Sequence, residues 1–281
     1  MSSHTLSIGY SPCPNDTYIF YGLIHGLVPH GGYRFSQPRL EDVETLNRWA
    51  MEAKLDVTKL SFHALGHVLD DYVILDSGAA LGRGCGPLLV TSRPGSTRPG
   101  KEWRIGIPGE YTTAALFLRF FAPECHRFEV LRFDRIMEQV SQGRLDAGVI
   151  IHESRFTYVE HGLFCMQDLG AWWEEETGLP VPLGCIAARR SLSEDVLAAV
   201  EGGIRGSVLW ARAHGDQCRD YIKEHARELD GQVIENHIGL YVNDFTVEMG
   251  EEGRKAVEEL LRRGRMVGLF PDTSVSPWRS R

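Results

Sequence analysis

The chain has 281 residues, 43% of them hydrophobic and 24% charged, which suits a soluble protein with one large domain or two lobes. Its 30 basic and 38 acidic residues give a net charge of −8, which argues against a nucleic-acid or anionic-membrane partner. Six cysteines without a C-x-x-C pair match no zinc pattern, and the lack of an export signal or a long apolar run favours a cytoplasmic protein with reduced thiols.

Hydrophobic periodicity predicts alternating strands and helices over the first part of the chain. Strands are predicted at 5–10, 33–38, 57–60 and 72–75, and helices at 17–27, 41–50 and 62–69. Such alternation predicts an α/β fold, in which helices cover both faces of a parallel or mixed sheet.

A turn-rich segment at 93–100, R-P-G-S-T-R-P-G, interrupts this pattern and is typical of a linker or an exposed loop. Beyond it, the pattern predicts strands at 104–107, 128–133, 146–151 and 183–188, and helices at 112–121, 134–142, 193–213, 216–228, 232–241 and 251–263. We therefore expect two lobes with a ligand cleft between them. The large lobe would comprise residues 1–92 and 186–281, and the small lobe residues 93–185.

Ligands of open α/β sheets bind beyond the carboxyl ends of strands, so the turns that follow strands are candidate sites. The first turn, 11–17, has two prolines and carries Ser11, Asn15 and Asp16, which either cap the next helix or line a cleft. The second, 58–64, places Lys59 at the end of a strand and Ser61 at the start of a helix. Both side chains can hold an acidic or carbonyl oxygen, although lysines are usually solvated and Ser61 can equally be a helix cap.

The third turn, 108–115, places Thr112 and Thr113 beside the unpaired N–H groups of a helix start, which suits a carboxylate or phosphate but also an ordinary cap. The fourth turn places His152 directly after an apolar strand, where an imidazole can accept a proton near neutral pH. A lone histidine is more often a packed or capping residue. The presence of three other polar turns at strand ends nevertheless favours a role for His152 as a base. No metal or nucleotide site is predicted, because no second histidine follows at zinc-protease spacing and the glycine-rich segment 82–87 lacks the lysine of a phosphate-binding loop.

Five motifs, taken in this order, resemble the 1,4-dihydroxy-6-naphthoate synthases of the futalosine route to menaquinone. They are S-P-C-P-N-D-T at 11–17, L-E-D-V-E-T-L-N-R-W-A at 40–50, T-K-L-S at 58–61, I-I-H-E-S-R-F-T-Y at 150–158 and D-L-G-A-W-W-E at 168–174. The resemblance extends over most of the chain. It implies a two-lobed type 2 periplasmic-binding-protein-like fold that is used as an enzyme.

The resemblance also implies a cofactor-free lyase that converts cyclic dehypoxanthinylfutalosine to 1,4-dihydroxy-6-naphthoate, with His152 as the proton acceptor. The implied substrate contacts are Lys59, Leu60, Ser61, Thr112 and Thr113. A small molecule is the partner that it implies, and nothing in the sequence points to an oligomeric state. Two alternatives stay open. A solute-binding protein would share the fold but needs an export signal, and the related chorismate dehydratases are cofactor-free lyases without the first and fourth motifs.

Overall fold

The computed structural model describes residues 5–29, 31–226 and 230–279. The strands are β1 (Thr5–Leu6), β2 (Ile8–Tyr10), β3 (Arg34–Phe35), β4 (Arg39–Leu40), β5 (Val57–Ser61), β6 (Tyr72–Ile74), β7 (Ala80–Gly82), β8 (Leu88–Thr91), β9 (Ile105–Ile107), β10 (Phe128–Val130), β11 (Ala147–Ile150), β12 (Phe164–Asp168) and β13 (Val181–Arg189). The helices are α1 (Pro14–Ile24), α2 (Val43–Met51), α3 (Phe62–His67), α4 (Thr113–Phe121), α5 (Phe133–Ser141), α6 (Ser154–Thr157), α7 (Leu169–Thr177), α8 (Glu194–Ala213), α9 (Gly215–His225), α10 (Gly231–Tyr241), α11 (Asp244–Val247) and α12 (Gly250–Met266).

Two mixed sheets organise the described residues into lobes. Sheet I, the sheet of the large lobe, has the order β4-β2-β5-β13-β6, with β7 also paired to β13. Sheet II, the sheet of the small lobe, has the order β10-β9-β11-β8-β12. In sheet I, β2 runs parallel to β4 and β5, whereas β13 runs antiparallel to its neighbours. The predicted α/β alternation is therefore confirmed, and the sheets are mixed rather than purely parallel.

Hydrophobic spacing explains why the helices pack on these sheets. In α5 the buried residues are Phe133, Ile136, Met137 and Val140, the spacing of one helical face. The largest buried cluster contains residues of both lobes, among them Leu60 of β5 and Phe117 of α4. The lobes are therefore packed against each other behind the cleft. No helix among the described residues is both long and apolar enough to cross a membrane.

The crossings between lobes differ from the sequence-based division. Strand β8 already lies in sheet II, and β13 enters sheet I at Val181. The segment 93–100 joins β8 to β9 within sheet II, so its interpretation as a linker is wrong and it is a mostly exposed loop. The division at 92/93 and 185/186 stays a prediction, and sheet membership favours crossings at 83–87 and 178–180.

Several element boundaries also differ. Helix α1 begins at Pro14 rather than at 17, because proline fits the first helical position and the Cys13 carbonyl accepts hydrogen bonds from Asp16 N and Thr17 N. The elements that were not predicted are β4, β7, β8, β12, α6, α7 and α11. Helix α9 ends at His225, and residues 227 and 228 of the helix predicted there lie outside the described residues.

Candidate active site

A cleft between the lobes brings the four polar turns together. Its free volume, including the open mouth, is about 660 Å³. Its lining includes every site residue predicted from the sequence: Ser11, Asn15, Asp16, Lys59, Leu60, Ser61, Thr112, Thr113 and His152. The first two turns belong to the large lobe and the last two to the small lobe, so neither lobe alone carries the whole set. The individual roles of these residues stay predictions.

A buried ion pair anchors the large-lobe side of the cleft. The Lys59 ammonium lies 2.9 Å from Asp16 Oδ1, and the two side chains are only 7% and 3% exposed. The Asp16 carboxylate also accepts hydrogen bonds from Asn15 Nδ2 at 2.9 Å and from Ser11 N at 3.2 Å. Two buried charges are tolerated here because each has a partner of opposite sign and the carboxylate has further donors. Lys59 is therefore a fixed charge of the cleft wall rather than a solvated lysine.

Asn47 holds Ser61 in place. Its side-chain oxygen accepts from Ser61 N at 2.9 Å, and its Nδ2 donates to Ser61 Oγ at 3.1 Å. The same Nδ2 lies 3.2 Å from the Tyr111 carbonyl of the small lobe. Ser61 is the N-cap residue of α3, as one of the two interpretations predicted, but its side chain makes no capping hydrogen bond. Its hydroxyl hydrogen remains free to be donated into the cleft.

The two threonines at the start of α4 use their hydroxyls within the protein. Thr112 Oγ1 accepts from Ala115 N at 3.2 Å and donates to Gly109 O, which makes Thr112 the helix cap. Thr113 Oγ1 donates at 2.6 Å to the Leu183 carbonyl of β13, in the large lobe. Because Ala115 N already donates to the Thr112 hydroxyl, the first-turn N–H groups that could serve a ligand are those of Thr113 and Ala114.

His152 stands where the two lobes meet. It follows β11 with a left-handed backbone, φ 57°, a conformation that strains most non-glycine residues. Its Nε2 lies 3.8 Å from Cys13 Sγ of the large lobe, and its ring makes an edge-to-face contact with Phe133 at a centroid distance of 5.0 Å. These contacts hold the imidazole at the cleft wall in a backbone geometry that local preferences alone would not select.

The surroundings keep this imidazole neutral near pH 7. Burial lowers the pKa of His152, and the nearby carboxylates of Glu153 and Asp16 only partly oppose that effect. Burial also raises the pKa of the Cys13 thiol, so the sulfur beside His152 is a thiol and not a thiolate nucleophile. A neutral imidazole can accept a proton from a bound molecule, which is the chemistry of a general base.

The sequence did not reveal all of the residues that line the cleft or contact its lining residues. Cys13 lies inside the first motif but gave no sign of its contact with His152, and Tyr241 and His237 come from the distant helix α10. Asn47 lies on the buried face of α2. An amide at an otherwise apolar helix position could have indicated a buried polar contact. Within the described residues, no group of three or more potential metal ligands is close enough to hold a metal ion.

A second buried histidine predicts how stability depends on pH. His63 is 2% exposed, its Nδ1 lies 3.1 Å from the Thr112 carbonyl, and burial lowers its pKa from 6.5 to about 3. Between these values the unfolded chain binds a proton that the folded protein excludes. The free energy of unfolding is therefore unaffected by His63 protonation above pH 6.5. It decreases as the pH falls towards 3, by up to about 1.4 kcal/mol per pH unit.

We expect His63→Phe to flatten the dependence of the urea-unfolding free energy on pH between pH 7 and pH 5, because phenylalanine has no proton to bind. The variant should be less stable at pH 7, since the Thr112 carbonyl loses its donor. Equal slopes in wild type and variant would contradict the burial effect. His161→Phe, at an exposed position, serves as the control for the exchange of a histidine for phenylalanine.

Comparison with known proteins identifies the family of this chain. A family model described as menaquinone biosynthesis matches residues 6–266. A 1,4-dihydroxy-6-naphthoate synthase from Thermus thermophilus is 50% identical over 264 residues, 94% of this chain and 95% of that protein. Another, from Streptomyces coelicolor, is 44% identical over 276 residues, 96% of each chain.

Solved structures extend the comparison to the fold. A crystal structure of an Archaeoglobus fulgidus protein has a TM-score of 0.89 at 36% identity, covering 96% of this chain and all 100% of that one. The periplasmic aliphatic sulphonate binding protein SsuA from Escherichia coli shares the fold alone, with a TM-score of 0.68 at 13% identity over 96% of this chain and 95% of its own. The predicted periplasmic-binding-protein-like fold is confirmed, and the chain belongs to the menaquinone biosynthesis family.

Proposed function

We propose that this protein is a lyase that converts cyclic dehypoxanthinylfutalosine to 1,4-dihydroxy-6-naphthoate, with His152 as the proton acceptor. The observation that carries the proposal is the neutral imidazole of His152 in the wall of the inter-lobe cleft. Relatives at 50% and 44% identity bear the name of this activity. A solute-binding protein would gain nothing from a proton acceptor held there in a strained backbone.

The proposed reaction suits a single base. Loss of the sugar-derived fragment produces an aromatic dihydroxynaphthalene, so the product gains aromatic stabilisation once a proton has been removed. A positioned base supplies about 10²- to 10⁴-fold of the acceleration. The remainder would come from holding the substrate in an eliminating geometry between Lys59, Leu60 and Ser61 on one lobe and the start of α4 on the other.

The direct test is to incubate the purified protein with cyclic dehypoxanthinylfutalosine and to follow 1,4-dihydroxy-6-naphthoate by chromatography and mass spectrometry. We expect product from dialysed protein, with and without a chelator, since the proposed elimination requires no cofactor. Binding without turnover would support the solute-binding alternative. Loss of the substrate into a different product would indicate another lyase of the same fold.

The proposed orientation places the substrate carboxylate at the N-terminus of α4. Helix starts attract anions through unpaired N–H groups and the helix dipole. We therefore expect 1,4-dihydroxynaphthalene, which lacks the carboxylate, to bind at least about 10-fold more weakly than 1,4-dihydroxy-6-naphthoate, since a charge-assisted hydrogen bond contributes about 1.5–3 kcal/mol. Calorimetric titration of both compounds makes the comparison. Equal affinities would show that the N-terminus of α4 does not bind the carboxylate.

We also propose that the protein works in the cytoplasm. Each of the six cysteines is free in the structure, and a reducing compartment keeps thiols in that state.

A further inference from the structure

A second histidine lies beside the proposed base. His237, on α10 of the large lobe, is 0% exposed, and its ring stacks on that of His152 with a centroid distance of 5.8 Å and an interplanar angle of 13°. Phe133 of the small lobe makes an edge-to-face contact with the His152 ring. The imidazole of His152 therefore contacts one ring from each lobe.

Hydrogen bonds fix the orientation and tautomer of His237. Its Nε2 lies 2.9 Å from Asn15 Oδ1, while Asn15 Nδ2 donates to the Asp16 carboxylate, which also binds Lys59. Because a carboxylate can only accept, the Asn15 amide must present its oxygen to His237. His237 therefore donates from Nε2, and its Nδ1 is the unprotonated nitrogen. A chain of polar contacts thus runs from the cleft lysine to the ring that lies against the base.

On the basis of the proposed function, we propose that His237 is a positioning residue for the base His152. Its ring face holds the His152 imidazole in the orientation set by the left-handed backbone, and it excludes water from that side of the ring. His237 belongs to the large lobe and His152 to the small lobe, so this support exists only when the lobes are together. A base that is held in this way is ready for proton transfer upon closure.

The groups around His152 favour a positioning role for His237. The titratable groups that act on His152 come from several elements, namely Cys13, Asp16, Asp42, Lys59, Glu153 and His237. Burial, with a smaller contribution from His152, lowers the pKa of His237 well below 6.5, so His237 remains neutral when it lies against the base. A neutral, water-excluding ring disfavours the imidazolium form of His152 by withholding solvent from it. The acid limb of the pH–rate profile should report this effect.

Two variants distinguish the effect of the His237 ring face from the effect of its hydrogen bond to Asn15. His237→Gln keeps a donor for Asn15 but removes the ring face. His237→Phe keeps a ring face but cannot donate. We expect His237→Gln to lower kcat at least about 10-fold with a smaller change in KM, because the base is no longer held in place. Its acid limb should move to higher pH, since water reaches the imidazolium. His237→Phe should lose less kcat and keep the wild-type acid limb.

Control measurements make each outcome decisive. His161→Gln, at an exposed position of the small lobe, should match wild type, and circular dichroism checks that the variants fold. The pKa of the His152 ring is followed by NMR titration in wild type and in both variants, which requires no turnover. The inference is wrong if His237→Gln leaves both kcat and the His152 titration unchanged, or if both variants lose kcat equally with an unmoved acid limb. Failure of the wild type to form naphthoate would instead contradict the proposed function.

Discussion

His152→Asn should lower kcat at least about 10²-fold while 1,4-dihydroxy-6-naphthoate still binds, because asparagine cannot accept the proton that the base removes. Asparagine is the suitable replacement here. It tolerates the left-handed backbone that His152 adopts at φ 57°, so the turn after β11 should keep its shape. The measurements are steady-state kinetics and calorimetric titration of the product on the same preparations.

His161→Asn provides the matched control, since it changes an exposed histidine of the same lobe and should keep wild-type kinetics. A His152→Asn protein that retained more than about a tenth of wild-type kcat would contradict the role of His152 as base, because removal of a base costs at least about 10²-fold. Loss of product binding together with turnover would instead indicate that His152 mainly holds the ligand.

Asp16→Asn should lower the free energy of unfolding by about 3–5 kcal/mol, because it leaves the Lys59 ammonium buried without its counter-charge. The structure provides little replacement, since the Gly78 carbonyl lies 3.4 Å from Lys59 Nζ, against 2.9 Å for the carboxylate. The change in the free energy of unfolding is measured by urea denaturation, after checking that wild type and variant have the same m-value. The double variant Asp16→Asn with Lys59→Met should recover much of the loss, since neither charge is then buried.

The exposed ion pair between Glu52 and Lys54 supplies the control. Its two side chains are 58% and 46% exposed, so Glu52→Gln should cost less than about 1 kcal/mol. An Asp16→Asn protein as stable as the Glu52→Gln control would mean that another group stabilises the buried Lys59 ammonium. Failure of the double variant to recover stability would assign the loss to the other donors of Asp16, Asn15 and Ser11 N.

Much of the site could be predicted because its residues lie in turns that follow strands. The position of a turn is local information, since apolar runs, prolines and helix-cap residues mark it in the sequence. The same local pattern identified His152 and Lys59 as candidates. It did not reveal that Lys59 is paired with Asp16, because that contact joins two different turns of sheet I.

What the sequence could not reveal was contact between distant elements. The helix spacing of 232–241 predicted α10 well, but nothing in that spacing indicates that His237 lies against His152. Likewise, Thr113 was predicted as a ligand contact, but nothing in the local sequence indicates that its hydroxyl donates to the Leu183 carbonyl of the other lobe. Such partners depend on how the lobes pack, and tertiary packing has no signature in local periodicity.

The position of β13 in sheet I has a consequence for the order in which the chain folds during synthesis. This strand lies between β5 and β6, although it is made long after both of them. On the ribosome, the strands of sheet II emerge as one uninterrupted stretch and can pair at once. Strand β5, which carries Lys59 and Ser61, keeps an open edge until residues 181–189 arrive. The strands of sheet II can therefore pair before sheet I is complete, and the half of the cleft that holds the buried ion pair stays open to non-native strand pairing until β13 has been made.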